Sequence, residues 1–62
     1  MNKYYVFRFE GGGWNHVVAR NIDEAKRTTQ SRYENRDHLT PIMNSFTPVT
    51  YEKLQTLMMI TF

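Results

Sequence analysis

Two imidazoles, His16 and His38, are the side chains in this sequence best suited to moving a proton near neutral pH. A catalytic histidine needs a nucleophile or a second acid or base within hydrogen-bonding reach. Ser31, Ser45, Glu10 and Asp37 are the groups that could meet one of them, and no spacing in the chain brings such a pair together. His16 lies two residues from Trp14 in a β-forming stretch and reads as a surface or interface residue. There is no Cys, and no Asp-x-Asp or Glu-x-x-His pair, so thiolate and carboxylate metal sites both lack their ligands. Asp23 and Glu24 are explained by a helix start, and Glu34 and Asp37 lie among Arg32 and Arg36 as a solvated charged patch. The expectation is a chain with no catalytic residue, no metal and no cofactor, and so not an enzyme.

Gly11-Gly12-Gly13 invites a phosphate-loop reading. Such loops need a following Lys-Ser or Lys-Thr, or a Gly-x-Gly-x-x-Gly between a strand and a helix. Here the glycines join two β-like segments, which is the chemistry of a hairpin turn.

Aromatic and basic residues together raise nucleic-acid binding. Aromatic rings on a small sheet can stack bases, and Arg or Lys can meet phosphates. Tyr4, Tyr5, Phe7, Phe9 and Trp14 supply rings, while Arg20, Lys26, Arg27, Arg32 and Arg36 supply charge. Asp23, Glu24, Glu34 and Asp37 dilute that stripe, and the net charge is only +2. A small basic nucleic-acid-binding or regulatory protein is therefore the alternative reading rather than the first.

The first reading is a protein-binding module. Nine large aromatics and four methionines exceed what a core of 62 residues needs. Trp, Tyr and Arg are the residue types most enriched where binding energy concentrates. Tyr4, Arg8, Trp14 and His16 share one hairpin face, and Met58, Met59, Ile60 and Phe62 form an apolar tail. These two groups are the candidate partner-binding residues. A small cysteine-free chain of this kind fits a phage or mobile-element inhibitor that occludes a host enzyme or defence protein. An antitoxin-like or virion accessory protein is a further alternative. The expected partners are a host protein and a second copy of the chain, because small domains without disulfides or metals commonly stabilise themselves by self-association.

The elements that must position these residues follow from patterning. Lys3 to Phe9 alternates Tyr5, Phe7 and Phe9 against Tyr4, Val6 and Arg8, which predicts a strand with the first set in the core. Trp14 to Arg20 predicts the second strand of a hairpin, with Val17 and Ala19 on one face and Trp14, His16 and Val18 on the other. Asn21 followed by Glu24 has the spacing of a capping box and opens a helix to about Asn35, with Ile22, Ala25, Thr29 and Tyr33 inward. Pro41 and Pro48 punctuate the next stretch, where Ile42 to Phe46 reads as a short strand or an ordered loop. The last dozen residues carry two periodicities. Tyr51, Leu54, Met58 and Phe62 recur as on a helix, while Leu54, Thr56, Met58, Ile60 and Phe62 alternate as on a strand. A helix from Pro48 to about Met59, capped by Thr47 or Thr50, is the preferred reading.

The predicted fold is thus one α+β domain over residues 1–62, in the order ββα(β)α, with both helices on one face of a small antiparallel sheet. The longest apolar run, Leu57 to Ile60, is far short of the roughly 20 residues that span a bilayer. With no signal-peptide pattern at Met1 to Tyr5, the chain reads as a complete short frame with a cytoplasmic location.

Overall fold

The computed structural model describes residues 2–36 and 38–61; Met1, Asp37 and Phe62, named above, lie outside the described residues. The elements are β1 (Lys3–Arg8), β2 (Trp14–Ala19), α1 (Ile22–Tyr33), a 3-10 turn (Met43–Ser45), β3 (Thr47–Val49) and α2 (Tyr51–Thr61). This is an α+β chain in the expected ββα(β)α order. The three strands form an antiparallel sheet in the order β2-β1-β3.

The hairpin forms because three successive glycines accept a backbone that side chains resist. Gly11, Gly12 and Gly13 have φ of +88°, +118° and +89°. The Phe9 N–H donates to the Gly13 carbonyl at 3.0 Å and the Gly12 N–H to the Phe9 carbonyl at 3.2 Å, which closes the turn. The register then places Tyr4 opposite Val18, Val6 opposite His16 and Arg8 opposite Trp14.

One face of the sheet carries the core. Tyr5, Phe7, Phe9, Val17 and Ala19 are buried there with Ala25 and Phe46, and Tyr33, Leu39 and Met43 pack against them. Phe7 stacks on Phe46 with centroids 4.8 Å apart, and Tyr33 sets its ring edge-on to Phe9 at 5.2 Å. Helix α1 lies over this face through Ala25 and Thr29, whose small side chains let it approach closely. Ile22, on the same stripe but at the first helical residue, is left 38% exposed. Asn21 caps α1 by accepting the Glu24 N–H at 2.8 Å. The reciprocal half of the capping box is displaced by one residue: the Glu24 carboxylate accepts from the Arg20 N–H, not from that of Asn21.

Two expectations are corrected. First, the helices do not share a face. Tyr4 meets Tyr51 of α2 with ring centroids 5.6 Å apart, and Leu57 faces Val6, Arg8 and Trp14. Helix α2 therefore covers the face opposite α1, which explains why Tyr4, Val6 and Val18 make that side half apolar. Second, Pro48 belongs to β3, opposite Tyr5, and not to a helix. Helix α2 begins at Tyr51, capped by Thr50, whose Oγ1 accepts the Lys53 N–H at 3.1 Å. Of the two readings for Ile42 to Phe46, the ordered loop is the one found: a 3-10 turn over Met43–Ser45, with the short strand after it.

Candidate interaction surface

The hairpin residues singled out for binding do come together. Tyr4, Arg8, Trp14 and His16 all point to the α2 side of the sheet, because they alternate with buried Tyr5, Phe7 and Val17. Their fates differ along the strand. Tyr4 is half-buried beneath Tyr51 where α2 sets out. At the other end α2 stands away from the sheet and leaves an open groove of about 250 Å³, lined by Val6, Phe7, Arg8, Trp14 and Leu57. His16 is half-buried next to it on β2.

The rim of the groove is fixed by backbone contacts. The Arg8 N–H donates to Ser45 Oγ at 2.9 Å, and the Ile42 N–H donates to the Arg8 carbonyl at 2.7 Å. Ser45 in turn donates its hydroxyl to the Ile42 carbonyl at 2.6 Å. The 3-10 turn thus holds the end of β1 while the Arg8 guanidinium stays exposed. Among the described residues Arg8 forms no ion pair. The groove therefore combines an apolar wall from Val6, Trp14 and Leu57 with a positive charge at its mouth.

The apolar tail divides between two sides of α2. Leu57 and Met58 are half-buried, whereas Met59 is 81% and Ile60 76% exposed. At about 100° per residue, Ile60 lies one turn beyond Leu57 on the same side of the helix, and Met59 projects from the far side. Phe62, the remaining tail candidate, is outside the described residues. Sequence reasoning missed Leu57 and Val6 as lining residues. The signal was present, since Leu57 follows buried Leu54 by three positions, a spacing that shares a helix face as well as four does.

The basic residues are not drawn into one stripe. Arg20 pairs with Glu24, Nε to Oε2 at 3.0 Å, and this contact, with the backbone hydrogen bond from Arg20, holds the Glu24 carboxyl below its ordinary value. Arg36 lies over the Tyr33 ring, 5.9 Å from its centroid. Lys26 is half-buried on α1, and Arg27 and Arg32 are exposed. Five residues apart, Arg27 and Arg32 stand about 140° from one another around the helix axis. His38 is exposed in the segment after α1.

Among the described residues no group of three His, Asp or Glu is arranged to hold a metal ion. None of their helices is long and apolar enough to cross a membrane. Set against protein-family models, curated proteins and solved structures, the chain has no match.

Proposed function

We propose that this chain is a non-enzymatic protein-binding module, working as a homodimer, whose partner seats an apolar side chain in the groove between Leu57 and Trp14. The observation that supports this reading is the continuity of apolar surface there. The groove wall of Val6, Trp14 and Leu57 runs onto Ile60, left 76% exposed on the same side of α2. Large exposed apolar side chains next to a preformed apolar groove mark interaction sites more often than chance exposure does. Arg8 at the mouth adds a charge that would orient an acidic or carbonyl-rich partner.

A module of this size with no catalytic grouping acts by occupying space on its target. The partner class that the composition favours is a host enzyme or defence protein, bound by a phage or mobile-element chain in the cytoplasm. Occlusion needs only a rigid surface; the sheet holds the Val6 and Trp14 wall of the groove, and α2 carries Leu57 opposite.

The test is a comparison of variants in pull-downs from the native host. The wild-type chain and Arg27→Glu/Arg32→Glu should retain the same protein in stoichiometric amount. Ile60→Glu and Trp14→Ala should each lose at least ten-fold in retention while keeping the far-ultraviolet spectrum. Equal retention by all four chains would overturn the groove reading. Retention of nucleic acid instead, released by moderate salt and lost in Arg27→Glu/Arg32→Glu, would replace it with the nucleic-acid reading.

A further inference from the structure

The sheet has two edges, and they are treated differently. In β1, the Arg8 N–H and carbonyl point to the β3 side, where they meet Ser45 and Ile42. The Phe9 N–H points the other way, to Gly13. Directions alternate along a strand, so Tyr4 and Val6 bond to β3, and Lys3, Tyr5 and Phe7 bond to β2. In the register Tyr5 opposite Pro48, the proline therefore turns its nitrogen outward. A proline there presents no N–H to another strand, and β3 spans only three residues. That edge is blunted in the way natural sheets avoid unwanted pairing.

The β2 edge has no such protection. Asn15, Val17 and Ala19 face β1, which leaves the backbone groups of Trp14, His16 and Val18 facing outward. All six residues of β2 are uncharged and none is proline. Two outward N–H groups are already engaged by side chains. The His16 N–H donates to Asn15 Oδ1 at 2.8 Å, and the Arg20 N–H, just past the strand, donates to Glu24 Oε1 at 3.3 Å. Val18, with 45% of its surface exposed, sits midway between them.

We propose that β2 pairs antiparallel with β2 of a second copy, about a two-fold axis at His16, to make a continuous six-stranded sheet. Such a row of outward backbone groups is satisfied by an extended strand, and a six-residue strand without charge is complementary to itself. The register follows from what is already taken. Centring on Val17 would require the Arg20 N–H, which Glu24 holds. Centring on His16 uses Trp14, His16 and Val18 alone, with Asn15 releasing one N–H. It also lays the Trp14 ring of each copy against the exposed Val18 of the other. Because the axis stands perpendicular to the sheet, both α2 helices fall on one side, and the two grooves face the same way.

This proposal deepens the homodimer reading, and the experiment separates the two. Light scattering on the chromatographed wild-type chain should give twice 7.4 kDa at high micromolar concentration. Val18→Pro copies onto β2 what Pro48 does on β3, and should be monomeric with an unchanged far-ultraviolet spectrum. The sequence has no Cys, so single-cysteine variants report the register directly. His16→Cys faces itself at about 5.5 Å between Cα atoms, a separation that a disulfide can span. It should cross-link to dimer in near-complete yield under mild oxidation. Trp14→Cys faces Val18 and should cross-link at least ten-fold more slowly. A wild-type monomer would overturn both the dimer and its edge, leaving the groove reading to its own test. A wild-type dimer with a folded, dimeric Val18→Pro, or equal cross-linking of the two cysteine variants, would overturn the edge pairing alone. Should Val18→Pro fail to fold, the cysteine contrast decides.

Discussion

Thr29 is 1% exposed, and its hydroxyl has no hydrogen-bond partner among the described residues. A buried hydroxyl left unpaired forfeits hydration without recompense, at about 1–3 kcal/mol. Thr29→Val keeps the shape, and the two residues have nearly equal helix propensity. It should raise the urea midpoint by an amount equivalent to about 1 kcal/mol, and a fall of similar size would mean that the hydroxyl is bonded in solution. Glu24 leads to a pH prediction. Its carboxyl is held below the ordinary 4.5 by the Arg20 side chain first and by the Arg20 N–H second. A depressed carboxylate stabilises the fold above its unfolded-state value, and the contribution is lost as pH falls through the folded-state value. The urea midpoint of the wild-type chain should therefore drop more than that of Glu24→Gln as pH is taken from neutral to well below 4.5. The pair is exposed at Arg20, so added salt should shrink this difference.

At the scale of elements, the turn and the caps carry local meaning. Gly12 has φ of +118° with nothing near an added Cβ, so the penalty for Gly12→Ala is backbone strain alone. It should cost about 1–2 kcal/mol by urea denaturation, and a neutral result would show that the loop can re-form with another turn type. Thr50→Ala removes the acceptor for the Lys53 N–H and should cost about 1 kcal/mol, lowering helical ellipticity from α2. Most elements were legible in the chain. Period-two alternation marked β1 and β2, the three glycines marked their turn, and Asn21 with Glu24 marked the start of α1. Pro48 misled for a physical reason. Thr-Pro suits both the first turn of a helix and a strand edge, and the choice between them depends on whether Tyr4 and Val6 lie alongside to bond Val49 and Thr47. No local pattern carries that information.

For the whole molecule, the packed core is small and shared by few residues. At roughly 0.05–0.15 kcal/mol per residue, total stability is about 3–9 kcal/mol. Phe7 is 1% exposed and touches the rings of Phe9, Tyr33 and Phe46. Phe7→Ala, at about 3–5 kcal/mol, should leave a large unfolded fraction at room temperature, read as a lost cooperative transition in near-ultraviolet circular dichroism. If the chain pairs through β2, its melting temperature should also rise with protein concentration, since mass action favours the associated folded state. A midpoint independent of concentration in the micromolar range would argue against association there.

The chain by itself determined what depends on near neighbours. The hairpin, the first helix and its cap, and the inward set Tyr5, Phe7, Phe9, Val17 and Ala19 all follow from spacing and backbone preference within a few residues. The absence of a nucleotide or zinc motif was equally a local matter. The tertiary structure decided how distant segments meet. It placed α2 on the face opposite α1, set Leu57 across from Trp14 to open a groove, and put Pro48 on one edge of the sheet while leaving β2 open on the other. Local periodicity says which side of a strand or helix is apolar. Which second surface covers that side is chosen by the global competition to bury it, a competition that only the folded chain resolves.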